Sequence, residues 1–228
     1  MATIANNLQL VRSRISQACL KVQRPPDSVT LLAVSKTFPA DNVRDAFNAG
    51  QKLFGENYVQ EGLDKIAALA DIRDQIQWHL IGPLQSNKTR AVAESFDWVH
   101  TVDRLKIAQR LNEQRPEPLP PLQVCVQVNT SGEASKSGCE PAEALALARA
   151  VAQLPRLKLR GIMALPAPSP DPAVQHEALR QVRVHFDTWR QHGLDVDTLS
   201  MGMSNDLEAA VEEGATLVRI GTAIFGHR

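Results

Sequence analysis

Residues 29–37 read VTLLAVSKT, a run of branched and aliphatic residues that ends in a lysine and a threonine. The apolar part, from Val29 to Val34, is too short for a helix and lacks the polar alternation of a half-buried strand. Strands of this kind are buried on both faces and belong to parallel sheets. The stretch therefore predicts a parallel strand with Lys36 at its carboxyl end.

The same alternation of a short apolar run with a helical segment recurs along the sequence. Pro39 and Asp41 open the first of these helices and Gly50 closes it, which is the expected punctuation of a helix. The predicted strands cover residues 29–34, 52–57, 76–82, 98–102, 122–129, 157–165, 198–203 and 217–225. Strands that alternate with helices predict an α/β fold, either a single (β/α)8 TIM-type barrel or an open doubly wound sheet. The count of eight and the length of 228 residues favour the closed barrel.

The two ends of the sequence carry a further prediction. Apolar residues at helical spacing predict an extra N-terminal helix over residues 5–22. No helix is predicted after the eighth strand, so we expect the N-terminal helix to fill that place in the outer ring. The expected organisation is a single domain over residues 1–228.

Composition and charge argue against several classes of protein. The 25 Lys and Arg residues equal the 25 Asp and Glu residues, so the basic excess of proteins that bind nucleic acid or an anionic membrane is absent. No apolar run approaches the ~20 residues that span a bilayer, and the N-terminus lacks a secretory signal pattern. The three cysteines are widely spaced, which argues against a disulfide framework or a zinc site. We expect a cytoplasmic protein without metal, nucleic-acid or membrane partners.

Lys36 is the most informative residue at the carboxyl ends of the strands, where a closed barrel carries its functional site. Seven of the eight residues at positions 30–37 are uncharged, so the lysine is expected to be poorly hydrated. A desolvated amine is a competent nucleophile toward an aldehyde. The alternative interpretation is a lysine that extends its charged end into solvent.

A second cluster, SMGMSND, follows the seventh strand and enters a predicted helix. A glycine-containing loop at a helix N-terminus offers backbone N–H groups that suit a phosphate, and barrels often hold phosphate beside strands seven and eight. Gly221 and Thr222, on the eighth strand, add further donors. The alternative interpretation is that Ser204 or Asn205 caps the helix, with Glu208 closing a capping box.

Arg219 lies in the apolar eighth strand, where an arginine needs a partner. It could pair with a carboxylate such as Glu56, or it could face the ring nitrogen of pyridoxal 5′-phosphate (PLP), which it would keep unprotonated. A lysine for the aldehyde, amides for the phosphate and an arginine for the ring nitrogen together predict PLP as cofactor. Asn57 could orient Lys36 or bond the 3-hydroxyl group of PLP. A barrel that binds some other phosphorylated metabolite is the alternative.

Seven motifs extend this prediction, in the order LLAVSKT, FGENYVQE, WHLIGPLQSNK, SKSG, GIMALP, LSMGMSND and VRIGTAIFG. They closely resemble the motifs of the pyridoxal phosphate homeostasis protein family, from about residue 5 to the last residue. The resemblance implies a barrel like the N-terminal domain of alanine racemase (PLP fold type III), without the second domain of that enzyme.

The resemblance also implies roles for individual residues. Lys36 of the AVSK motif would carry PLP as a Schiff base, and Arg219 would take the ring-nitrogen role. Lys136 of the SKSG motif is a candidate for a secondary PLP site, with a solvated loop lysine as the alternative. The expected cofactor-binding residues at the phosphate end are Ser200, Met201, Gly202, Met203, Ser204, Gly221 and Thr222.

The family is regarded as lacking an established enzymatic activity; its members bind PLP and affect vitamin B6 balance. The resemblance therefore implies a carrier that holds PLP on Lys36 and exchanges it with PLP-dependent apo-enzymes. The alternative function is a weak amino-acid racemase, which needs an acid/base group on each face of the cofactor. Tyr58 is the only tyrosine, and Arg219 would weaken PLP as an electron sink, so the carrier is favoured. We expect a monomer, because no long heptad or large apolar stripe is evident.

Overall fold

The computed structural model describes residues 3–131 and 137–226 and forms a closed barrel of eight parallel strands. The strands are Thr30–Val34 (β1), Leu53–Glu56 (β2), Gln77–Leu80 (β3), Trp98–Val102 (β4), Leu122–Val128 (β5), Leu157–Ala164 (β6), Thr198–Ser200 (β7) and Leu217–Ile220 (β8). The α-helices are Ile4–Lys21 (α1), Ala40–Asn48 (α2), Val59–Ala68 (α3), Thr89–Ser95 (α4), Leu105–Gln114 (α5), Pro141–Ala152 (α6), Pro172–Gln191 (α7), Leu207–Glu212 (α8) and Thr222–Phe225 (α9). The predicted TIM-type barrel with an extra N-terminal helix is confirmed.

The main hydrophobic core lies between the barrel and its ring of helices. Leu31 and Ala33 of β1 belong to this layer, whereas Leu32 and Val34 are buried outside it. Since successive side chains of a strand point to opposite faces, Leu32 and Val34 face the interior of the barrel. Lys36 continues this inward series, while Ser35 continues the outward one.

Helix α1 packs between α2 and α8, in the place of an eighth outer helix. Arg14 forms an ion pair with Glu208 of α8, with 2.7 Å between Nε and Oε1. On the other side, Arg12 Nη1 donates a hydrogen bond to the carbonyl oxygen of Ala49, directly after α2 (3.3 Å). Asn7 Nδ2 also donates to the carbonyl oxygen of Ile224 in α9 (2.8 Å). These contacts agree with the position expected from the sequence.

The end of the eighth strand differs from the prediction. Strand β8 stops at Ile220, and residues Thr222–Phe225 form the short helix α9, so both the strand through 225 and the absence of a following helix were wrong. The backbone N–H groups of Ile224 and Phe225 donate to the carbonyl oxygen of Gly221 (2.9 Å each). A short apolar run does not distinguish a strand from a buried helix by its periodicity.

The seventh strand is also shorter than the predicted 198–203. It ends at Ser200, and Gly202 has a φ of +96°, a left-handed conformation that does not continue a strand. Among the described helices, none has both the length and the apolar character needed to cross a bilayer.

Paired substitutions in α1 test how this helix is held. Leu8 is fully buried against the barrel, whereas Leu10 is 63% exposed on the same helix. We expect Leu8→Ala to lower the free energy of unfolding by about 2–5 kcal/mol, because it leaves a cavity in the core. Leu10→Ala should stay within about 0.5 kcal/mol of the parent chain. Urea denaturation measures both, and equal effects would contradict the packing of α1 described above.

Candidate functional site

Lys36 lies two residues after the end of β1, at the mouth of the barrel. It is half-buried and is the second residue of a tight turn, in which the N–H of Phe38 donates to the carbonyl oxygen of Ser35 (3.1 Å). Among the residues that the structure describes, none forms a hydrogen bond or ion pair with the Lys36 amine. The amine is therefore available to an added group.

Arg219 is buried in the interior of the barrel with 4% of its surface exposed. Its Nη1 donates to Ser200 Oγ at 2.6 Å, and its Nη2 donates to the carbonyl oxygen of Ala164 at 2.9 Å. Burial lowers the pKa of Arg219 to about 10, so the guanidinium stays charged at neutral pH. No carboxylate of the described residues forms an ion pair with it. The site thus holds a buried positive charge whose acceptors are all neutral.

The suggested pairing of Arg219 with Glu56 was wrong. Glu56 points to the helix side of β2, where its Oε1 lies 2.7 Å from Lys65 Nζ of α3. Ser35 Oγ donates to the same oxygen (2.6 Å). Glu56 is fully buried, and burial raises the pKa of its carboxyl group although Lys65 opposes the shift.

Two buried histidines extend the hydrogen bonding below Arg219. His100 Nδ1 lies 2.9 Å from Ser200 Oγ, and His100 Nε2 lies 2.8 Å from His79 Nδ1. The ring of His79 stacks on Trp98, with 5.0 Å between ring centroids. His79 is thus a buried core histidine whose Nδ1 is hydrogen-bonded. The sequence analysis missed His100, although WVHTV places it on the same strand face as Trp98.

The loops after β7 and β8 lie beside Arg219 and Lys36. The backbone N–H of Arg219 donates to the carbonyl oxygen of Gly202 (2.9 Å). Gly202 is buried, and a Cβ at this position would collide with Ala210. Gly221 packs on β1, since a Cβ there would lie 3.1 Å from the carbonyl oxygen of Val34. Strands β7, β8 and β1 thus bring both glycine loops and Lys36 to one edge of the barrel mouth.

The capping-box interpretation of the β7 loop was wrong. The residue before α8 is Asp206, and neither Ser204 nor Asn205 caps the helix. Asp206 Oδ1 instead accepts a hydrogen bond from the N–H of Met203 (2.6 Å), and Glu208 is paired with Arg14. The loop is thus shaped by Asp206.

The remaining predicted residues fall around the same mouth. Ser200 and Met201 are fully buried, Met203 and Thr222 are exposed, and Ser204 is half-buried.

Asn57 follows β2, the strand beside β1, and its buried Oδ1 has no hydrogen-bond partner. Lys136 lies outside the described residues.

The chemistry of these residues fits PLP. A buried guanidinium without a carboxylate suits a neutral acceptor such as a ring nitrogen, and an unpartnered amide oxygen is available for a hydroxyl group. The first N–H groups of α9, at Thr222 and Ala223, have no acceptor within the helix and can serve a phosphate. Lys36 would supply the amine for the aldehyde.

The buried histidines predict an acid-sensitive core. Burial, with a smaller effect from Arg160, lowers the pKa of His79 from 6.5 to about 3. Between about pH 3 and pH 6.5, the His79 side chain binds a proton in the unfolded chain but not in the folded protein. The free energy of unfolding should therefore fall as the pH drops through this window, by up to about 1.4 kcal/mol per pH unit from His79.

Urea denaturation at several pH values measures this slope. We expect His79→Gln to make the slope shallower than that of the parent chain, while the exposed His192→Gln leaves it unchanged. A slope that His79→Gln does not alter would show that His79 is not held neutral by burial.

Comparison with known proteins places the chain in a family. The family model described as "Alanine racemase, N-terminal domain" matches residues 1–228. The pyridoxal phosphate homeostasis protein of Pseudomonas aeruginosa is 60% identical over 100% of this chain and 97% of its own length. The protein of the same name from Escherichia coli K12 is 56% identical over 100% and 98%.

Solved structures agree with this placement. PipY of Synechococcus elongatus, solved with PLP bound, is 39% identical with a TM-score of 0.81, over 95% of this chain and 100% of that chain. An alanine racemase of Clostridium difficile, at 15% identity and a TM-score of 0.76, covers 98% of this chain and 57% of its own and shares the fold. The chain therefore belongs to the alanine racemase N-terminal domain family and, within it, to the pyridoxal phosphate homeostasis proteins.

Proposed function

We propose that this chain serves PLP homeostasis by holding PLP as a Schiff base on Lys36 and exchanging it with apo-enzymes. The observation that carries the proposal is the buried charge of Arg219, which has only neutral acceptors and lies at the same barrel mouth as an uncommitted lysine. The PLP-bound structure of PipY, a relative at 39% identity, supports the cofactor. Bound PLP would supply an aldehyde group, through which the chain would hold the cofactor in a covalent and reversible link.

Lys36 would make the covalent link. Its amine would add to the aldehyde carbonyl, and one water molecule would leave as the C=N bond forms. Asn57, which follows the neighbouring strand β2, has an unpartnered amide oxygen that would accept a hydrogen bond from the 3-hydroxyl group. The link is reversible because water can add back.

Arg219 would donate a hydrogen bond to the ring nitrogen. Ser200 and the carbonyl oxygen of Ala164 already fix its guanidinium, so little side-chain entropy remains to be lost on binding. Because an arginine does not give up its proton at neutral pH, the ring nitrogen would remain an acceptor. Such a ring is a poor electron sink, which suits storage better than carbanion chemistry.

The phosphate would be held by the loops that follow β7 and β8. Gly202 and Ser204 would supply backbone N–H groups from one loop, and Gly221 and Thr222 would supply them from the other. The N–H of Met203 donates to Asp206 and is not among these donors. Ser200 and Met201, which precede the first loop, are both buried, and Ser200 accepts a hydrogen bond from Arg219.

The racemase alternative finds less support. Tyr58 follows β2 at the mouth but is 60% exposed, and a general acid or base has to reach the proton that it transfers. The polar contact of Arg219 with the ring would also disfavour a carbanion. We therefore propose a carrier in a single barrel domain.

Exchange with apo-enzymes is supported by exposed apolar side chains around the mouth. Exposed apolar side chains follow four strands at this end of the barrel, at Tyr58, Leu105, Leu165 and Met203. Apolar side chains on a rim are common in transient docking surfaces. We propose that the chain acts as a cytoplasmic monomer that docks briefly through this rim.

The first prediction concerns the absorbance spectrum of the purified chain with added PLP. The parent chain should show the visible absorbance band of a Schiff base, and Lys36→Ala should lose it, because Lys36 follows the strand that pairs with the strand of Arg219. Lys88→Ala, which removes an exposed lysine after β3, should keep the band. Lys136→Ala tests the candidate secondary site. An equal band in Lys36→Ala would contradict the assignment of Lys36.

The second prediction concerns transfer of PLP to an added PLP-dependent apo-enzyme, measured with a phosphatase present to destroy released PLP. Leu105→Ser and Leu165→Ser should slow transfer about fivefold, corresponding to about 1 kcal/mol of docking energy each, with unchanged PLP affinity. Leu10→Ser, on α1, is the matched control at 63% exposure. Transfer that never exceeds release into buffer would contradict exchange by contact.

A further inference from the structure

The backbone at Lys36 adopts a demanding conformation. Ser35 to Phe38 form a turn closed by the N–H of Phe38 and the carbonyl oxygen of Ser35 (3.1 Å), with Lys36 and Thr37 in the middle. Thr37, the third residue of this turn, has a φ of +67°. Type II turns place glycine at that position, and a β-branched residue with positive φ is strained. Such strain persists only where the surroundings hold it.

Two side chains of α3 hold the peptide groups on both sides of Lys36. Lys65 Nζ donates to the carbonyl oxygen of Ser35 at 2.7 Å, which fixes the peptide group before Lys36. The carboxylate of Glu61 accepts a hydrogen bond from the N–H of Thr37, which fixes the peptide group after Lys36. Together these two bonds restrict φ and ψ of Lys36, and so the direction of its Cα–Cβ bond.

Both contacts come from one ionic cluster, formed by the buried Glu56 and Lys65 and the partly exposed Glu61. Lys65 Nζ lies 2.7 Å from Oε1 of Glu56 and 2.7 Å from Oε1 of Glu61, which is one helical turn away. Buried ion pairs often add little to stability relative to apolar residues of the same volume. The presence of such a cluster directly behind Lys36 is explained if it fixes the backbone conformation of Lys36.

We propose that Glu61, Lys65 and Glu56 are positioning residues that aim Lys36 into the barrel mouth by fixing its two flanking peptide groups. The inference rests on the proposed attachment of PLP to Lys36 and adds the structure that sets the orientation of its amine. Without the cluster, Thr37 relaxes to negative φ and the Lys36 side chain samples more directions. Addition to the aldehyde then becomes slower, because fewer encounters have the reacting atoms aligned.

Glu61→Ala is the main test, because Glu61 is partly exposed and its loss leaves the Glu56–Lys65 pair intact. We expect hydrogen exchange of the Thr37 amide in the PLP-free protein to accelerate about tenfold or more. The rate of Schiff-base formation, followed by stopped-flow absorbance, should fall about tenfold. Glu61→Gln keeps an acceptor for the Thr37 N–H. It should therefore bring the Thr37 amide exchange rate and the rate of Schiff-base formation most of the way back to those of the parent chain.

Asp187→Ala is the matched control, since it removes another i,i+4 ion pair, that with Arg183 on α7. It should leave both rates at the level of the parent chain even if it lowers the melting temperature. A purely structural role of Glu61 would likewise change only the melting temperature.

A second variant tests the strain directly. Glycine adopts positive φ readily, so Thr37→Gly should keep the turn without help from α3. In that background, Glu61→Ala should slow Schiff-base formation by less than half as much, on a logarithmic scale, as it does in the parent chain. Equal effects in the two backgrounds would overturn the strain-holding role.

The outcomes separate this inference from the proposed function. If the parent chain forms no adduct on Lys36, both the proposed function and the positioning role are overturned. If the adduct forms and Glu61→Ala matches the parent chain in rate and in Thr37 amide exchange, only the positioning role is overturned.

Discussion

The buried guanidinium of Arg219 is the feature on which the rest of the site depends. Moving a charge from water into a barrel interior costs several kcal/mol unless partners replace its hydration. In the described structure those partners are a serine hydroxyl and a carbonyl oxygen, so the charge is solvated by dipoles and not neutralised. Such a cation attracts an acceptor from outside the protein, and Lys36 and the two glycine loops lie at the same end of the barrel.

Two layers of polar contacts, one on each face of the sheet, support the residues at this mouth. Inside the barrel, Ser200 connects Arg219 to His100 and His79, and burial keeps both histidines neutral at neutral pH. Outside it, Glu56 and Lys65 lie against the strand that carries Lys36. The alternation of side chains along β1 and β2 separates the two layers. The inner layer sets the charge that the cofactor would meet, and the outer layer sets the direction of the lysine.

The sequence predicts much of this arrangement because several signals are local. An apolar run ending in Lys36 and an arginine within an apolar strand are visible without any knowledge of packing. The partner of Glu56 was not predictable in this way, because its side chain faces the helices and its partner Lys65 lies on α3. The same limit applies to His100, whose contacts with His79 and Ser200 join three different strands. The end of β8 was missed because an apolar run suits both a strand and a short buried helix.

Borohydride reduction followed by peptide mapping tests most directly whether this barrel holds PLP where its geometry indicates. Reduction of the PLP-loaded chain converts the C=N bond into a stable amine and so marks the lysine that carried the cofactor. The predicted result is a single phosphopyridoxyl group on the peptide that contains Lys36. Modification spread over exposed lysines, or none on the Lys36 peptide, would contradict the assignment of this mouth as the PLP site.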